Sequence, residues 1–102
     1  MLDITESQLD KLNTGLAILD LWADWCAPCR PVTVVLNQLE SEYKDIKIYK
    51  INVNENPNIA AKYGVYALPT VLGFKNGELI AQVVGAKEKN KFKEMFDLLM
   101  QN

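Results

Sequence analysis

Histidine is absent from this chain, and cysteine is limited to Cys26 and Cys29. A tetrahedral zinc site needs four ligands, mostly thiolates and imidazoles. With no histidine and no third cysteine, one chain cannot complete such a site, and only a dimer sharing four thiols would. Neither sign of charge prevails: 11 basic and 13 acidic residues give a net charge of −2. That leaves no positive field to gather nucleic acid or an anionic membrane. Lysines crowd only at Lys87, Lys89, Lys91 and Lys93, where Glu88 and Glu94 dilute them into an ordinary solvated helix face. Long hydrophobic runs are missing as well, far short of the roughly 20 residues that span a bilayer. Met1 to Thr14 is polar and acidic, without the basic and then apolar regions of a signal peptide. A cytoplasmic protein is expected, in a reducing compartment where permanent disulfides are uncommon. Two cysteines in that setting point to redox or metal chemistry.

What is present is ordinary for a folded domain: 102 residues, 49% apolar and 24% charged. That length builds one core without staples, so a single domain over residues 1–102 is expected. The chain is organised around Ala23-Asp24-Trp25-Cys26-Ala27-Pro28-Cys29-Arg30. Before it, Leu16 to Ala23 reads as a buried strand interrupted by Asp20. After it, Val32, Val35, Leu36, Leu39 and Tyr43 make the stripe of an amphipathic helix from about Ala27 to Tyr43. The cysteines therefore sit where a strand hands over to a helix. A thiol there faces free N–H groups and the positive end of the helix dipole, which stabilise the thiolate. The thiolate is the nucleophile of disulfide exchange.

Elsewhere, Thr5 and Gln8 form a capping-box pattern that opens a short helix through Leu9 and Leu12. Ile46 to Val53 reads as a second strand, and Asn56-Pro57 as the N-cap and first position of another helix, which Gly64 ends. Strands at Thr70–Phe74 and Leu79–Val84 flank Asn76-Gly77, a strong hairpin signal. Phe92, Met95, Phe96 and Leu99 mark a closing helix. The order βαβα then ββα predicts an α/β mixed sheet with helices on both faces, its first two strands parallel.

Trp22 to Arg30 resembles the active-site segment of the thioredoxin family, and the likeness runs on. Lys62-Tyr63-Gly64-Val65, Leu68-Pro69-Thr70, Phe74-Lys75-Asn76-Gly77 and Val84-Gly85-Ala86 all resemble family blocks, covering nearly the whole chain. The resemblance implies the thioredoxin fold, a mixed five-stranded sheet flanked by four helices. It implies a dithiol reductase that needs no bound cofactor beyond its Cys26–Cys29 disulfide. Thioredoxin reductase would recycle it with NADPH, and its other partners would be disulfide-containing client proteins. A monomer is expected, since the docking groove is the only apolar surface foreseen.

Roles follow residue by residue. Cys26, at the helix start and the more exposed, is expected to attack a client disulfide; Cys29, one turn in and more buried, to resolve the mixed disulfide. Asp20 shares a strand face with Ile18 and Trp22, and desolvation should raise its pKa. The resemblance makes it proton acceptor for Cys29; the plainer reading pairs it with Lys50 on the neighbouring strand, and the two are compatible. The resemblance also implies a cis Leu68–Pro69 bond facing the cysteines, though a strand-starting proline would read the same. Trp25, Ala27, Pro28, Val53, Ala67, Leu68, Pro69, Val84 and Gly85 would form the client surface, with Trp22 as core beneath it. By composition alone each apolar residue of that set reads equally as packing.

Three positions depart from the family pattern. Ala27 stands where glycine is usual, Pro31 is added while the later helix proline is Val34, and Glu88 replaces a Ser or Thr N-cap. The dipeptide between the cysteines lacks the histidine common in oxidases and isomerases, which favours a stable disulfide and a reducing dithiol. Two other classes stay open from the sequence: a domain that binds partners without turnover, and a redox partner dedicated to one client.

Overall fold

The computed structural model describes residues 1–101. Five strands, β1 (Leu2–Asp3), β2 (Leu16–Trp22), β3 (Ile46–Asn52), β4 (Thr70–Lys75) and β5 (Glu78–Val84), form one sheet in the order β1-β3-β2-β4-β5. A 3-10 helix covers Glu6–Leu12, and three α-helices follow: α1 (Cys29–Glu42), α2 (Ile59–Lys62) and α3 (Lys89–Met100).

β2 is the central strand because it is apolar on both faces. It runs parallel to β3, from Leu16 opposite Ile46 to Trp22 opposite Asn52, and antiparallel to β4. Alternation along β2 sorts its side chains into two cores. Ile18 packs with Val32, Leu36 and Leu39 of α1 and with Phe92, Phe96 and Leu99 of α3. Leu19 and Leu21 pack on the opposite face with Leu12, Ile51, Ile59 and Leu72. Asp20 falls on the α1 face, fully buried.

Local chemistry sets the element ends. Gln8 Oε1 accepts the Thr5 backbone N–H at 3.0 Å, the returning half of a capping box. Gly64 follows α2 at φ +65, with Val65 N–H donating to the Ala60 carbonyl and Gly64 N–H to that of Ala61, a Schellman end. Asn76 and Gly77 both take positive φ, 49° and 86°, and close the β4–β5 hairpin in the turn sense that suits strand twist.

Two expectations on boundaries are corrected. Asn56 does not cap α2, which starts at Ile59 after Asn58. Asn56 is buried and its amide is taken: Nδ2 donates to the Asn52 carbonyl and Oδ1 accepts the Glu6 N–H. Regular α1 begins at Cys29 rather than Ala27, because Cys26 to Pro28 form a turn closed by Cys29 N–H to the Cys26 carbonyl. Pro31 accordingly stands in the first helical turn, where N–H groups have no acceptor within the helix. α1 runs unbroken to Glu42, with Val34 on its exposed side.

Candidate active site

The site forms where β2 ends. Val53 N–H donates to the Trp22 carbonyl, extending the sheet by one bond, and Cys26 N–H reaches back to Ala23. This tight exit delivers Cys26 to the head of α1, and the next turn brings Cys29 beneath it. The two are joined by a disulfide, with Cα atoms 5.4 Å apart. Ala23, Cys26 and Cys29 form a small buried cluster against which Trp22, Val53 and Leu68 pack.

The expected contrast in accessibility between the cysteines is absent. Cys26 is 4% exposed and Cys29 3%, because with the bond closed both lie within that apolar cluster. Cys29 is also the first residue of α1 rather than one turn in. What separates them is position: Cys26 lies ahead of the helix, in the turn whose far side, Ala27 and Pro28, faces solvent.

Around the disulfide, Trp25 is 68% exposed and is anchored by its indole N–H to Asn54 Oδ1 at 3.2 Å. The Leu68–Pro69 bond is cis. Thr70 Oγ1 donates to the Ala67 carbonyl at 2.7 Å, and Gly85 N–H to that of Pro69 at 2.8 Å. These bonds hold the 67–69 loop against the end of β5, where Val84 stands exposed beside half-buried Gly85. Ala67 is exposed, Leu68 and Val53 are half-buried, and Pro69 is buried.

Asp20, on the α1 face of β2, has no solvent exposure. Its Oδ2 accepts the Thr33 hydroxyl at 3.3 Å, and its Oδ1 has no partner. Desolvation pushes its pKa up to about 7, opposed by the Thr33 hydrogen bond and the charge of Lys50.

The expected ion pair with Lys50 does not form. Lys50 stands opposite Asp20 in the sheet, but its ammonium lies 3.5 Å from Asp3 Oδ2 and 5.2 Å from the Trp22 ring centroid. The long stem carries the charge to the sheet edge, where it keeps part of its hydration instead of entering a dry pocket. Trp22 is half-buried against the cysteine cluster, and its Nε1 has no hydrogen-bond partner.

Sequence reasoning missed Thr33 and Asn54. Thr33 follows Cys29 by four residues and so shares its helix face, and that spacing was the available signal. Asn54 showed no pattern. A cavity of about 140 Å³ beside the disulfide is lined by Trp22, Cys26, Cys29 and Thr33 among others. Among the described residues, no group of three or more His, Cys, Asp or Glu could hold a metal ion. None of the described helices is long and apolar enough to cross a membrane.

A strand-to-helix disulfide over a buried acid, on a mixed five-stranded sheet, defines a thiol–disulfide exchange protein. Comparison with known proteins agrees. The thioredoxin family model matches residues 4–97. A thioredoxin of Staphylococcus epidermidis is 41% identical over 96 residues, covering 92% of each chain. The chloroplastic M-type thioredoxin of Pisum sativum is 43% identical over 95 residues, 89% of this chain and 55% of that one. Among solved structures, Malassezia sympodialis thioredoxin superposes with a TM-score of 0.87 at 29% identity, covering 99% of this chain and 91% of that one. A chain from a study of thiol resolution in yeast mitochondrial 1-Cys peroxiredoxin gives the same TM-score at 26% identity, covering 95% and 93%. The chain belongs to the thioredoxin family, with the thioredoxin fold, and is a thiol–disulfide oxidoreductase whose redox-active pair is Cys26 and Cys29.

Proposed function

We propose that this protein is a cytoplasmic protein-disulfide reductase, a monomer of one thioredoxin domain over residues 1–102. Thioredoxin reductase recharges it with electrons from NADPH, and client proteins with accessible disulfides receive them. The observation that carries the reading is the Cys26–Cys29 disulfide at the head of α1 with only Ala27 and Pro28 between. No cation lies between the sulfurs to stabilise a thiolate and make the disulfide strongly oxidising.

The chemistry balances in two exchanges. The Cys26 thiolate attacks one sulfur of a client disulfide; the S–S bond of the client breaks, its other sulfur leaves as thiolate and takes a proton from solvent. Cys29 Sγ then gives up its proton and bonds to Cys26 Sγ, and the mixed disulfide breaks to release the second client thiolate. Two electrons pass to the client, and Cys26–Cys29 is left oxidised. Asp20 is the proton acceptor for Cys29 in the second exchange; its hydrogen bond with Thr33, whose hydroxyl also reaches the Cys29 carbonyl, and its raised pKa support that role. Trp25, Ala27, Pro28, Val53, Ala67, Leu68, Pro69, Val84 and Gly85 serve as the surface against which an extended client segment lies. Lys50 and Trp22 tune the site, Lys50 through the charge it holds above the Trp22 ring.

The test is reduction of insulin disulfides with NADPH and a bacterial thioredoxin reductase. Turnover is expected from the native chain, none from Cys26→Ser, and from Cys29→Ser a trapped mixed disulfide at one thiol per client. Undiminished turnover in Cys26→Ser would overturn the assignment. A client effect that survives in the double serine variant would mark a binding module instead.

A further inference from the structure

Thr33 carries a hydroxyl that meets two groups of the site at once. Its Oγ1 lies 3.3 Å from Asp20 Oδ2 and 3.3 Å from the Cys29 carbonyl oxygen. A hydroxyl has one proton to donate and lone pairs to accept with. Among the described residues Asp20 has no other hydrogen-bond partner, its Oδ1 being unpaired. Thr33 is also half-buried and lines the cavity beside Cys29, whereas Asp20 has no exposure. Among the described residues, the hydroxyl is thus the one polar side-chain atom that touches both the acid and the turn carrying the second cysteine.

We propose that Thr33 is the positioning residue for Asp20, orienting its carboxyl toward Cys29 and setting which protonation state it holds during release of the client. With Asp20 ionised, the Thr33 proton points to Oδ2, the only hydrogen bond the buried carboxylate receives. With Asp20 protonated, the carboxyl can donate to Thr33 Oγ1, and the Thr33 proton turns to the Cys29 carbonyl. Uptake of the Cys29 proton by Asp20 therefore reverses one hydrogen bond and leaves every Thr33 contact in place. The inference rests on Asp20 acting as proton acceptor in the proposed reduction. Two charges act on Asp20 besides: Lys50 on β3, which favours its ionised form, and Asp3 on β1, which opposes it. β4 places only Val71 opposite it.

A threonine in a helix commonly donates to the carbonyl four residues back, with no further role. That plainer role predicts changes in thermal stability only. The discriminating measurement is a carbon-13 NMR titration of the Asp20 carboxyl in oxidised protein, beside the pH profile of mixed-disulfide resolution. Native chain, Thr33→Val, Thr33→Ala, Thr33→Ser and Asp20→Asn are compared. Removing the one donor to a buried carboxylate is expected to raise the Asp20 midpoint by about one pH unit in Thr33→Val and Thr33→Ala. The resolution midpoint should move with it, and Thr33→Ser should restore both. An Asp20 midpoint unchanged in Thr33→Val and Thr33→Ala overturns the inference, and leaves Asp20 as acceptor if Asp20→Asn still slows resolution. Native resolution rates in Asp20→Asn would instead overturn the acceptor role itself, and the role of Thr33 with it.

Discussion

Asp20 shows how one residue is held at a cost to the whole. A carboxyl with no exposure and a single hydrogen bond is poorly solvated when charged, so its pKa stands at about 7 against an ordinary 3.8. The unfolded chain releases this proton near 3.8 and the folded chain near 7. Between those values the unfolded state binds fewer protons, so stability falls as pH rises through that window and is flat above it. Asp20→Asn should therefore stabilise the fold above pH 7 by a few kcal/mol, on the order of 2–4, and by almost nothing below pH 4. Urea unfolding at both pH values checks this; an equal gain at each would contradict it. The buried acid was legible because a lone carboxylate inside an apolar strand must be desolvated. Its surroundings were less so: strand register placed Lys50 beside it, but not that the ammonium prefers the half-hydrated edge next to Asp3. Thr33 was hidden in a helical stripe read for its apolar members.

Among the elements, α1 and α3 carry the chemistry and the closure. Glu88 is the N-cap of α3, with extended φ and ψ of −71° and 160° and no side-chain cap bond. Glu88→Asp keeps the charge at the positive end of the dipole and shortens the side chain to capping length, so a gain of about 1 kcal/mol is expected. Thermal denaturation reads it, and no gain would show that these orphan N–H groups are already served. Gly73 on β4 lies against α3. A Cβ there would lie 3.3 Å from Leu99 Cδ1 and 3.5 Å from Met95 Cγ. Gly73→Val should cost about 1–3 kcal/mol by overpacking that contact. A variant as stable as the native chain would mean that α3 is free to shift. Long elements with clear periods were legible to within a few residues. β1 was not, since Leu2–Asp3 is two exposed residues paired with Tyr49 and Lys50, without any period to read. The start of α2 was misread because Asn56, a good cap by type, spends its amide on the 3-10 helix instead.

In the whole molecule, two apolar layers on a central sheet fix the position of the disulfide, and the disulfide contributes little to holding them. It links residues only 3 apart in sequence, so its loop-closure effect on the unfolded chain is small, about 2 kcal/mol. The reduced protein should unfold cooperatively, at a stability lower by about that amount. Collapse of the fold on reduction would make the bond structural rather than redox-active. The most direct test of a reductase is the Cys26–Cys29 potential itself. Equilibration in dithiothreitol and glutathione buffers, followed by the fluorescence of Trp22 and Trp25, reads it. With Ala-Pro and no histidine between the cysteines, a value near or below about −270 mV is predicted, more reducing than the cytosolic glutathione pool measured by extraction. A value at or above about −180 mV, the range of isomerases and oxidants, would contradict the account.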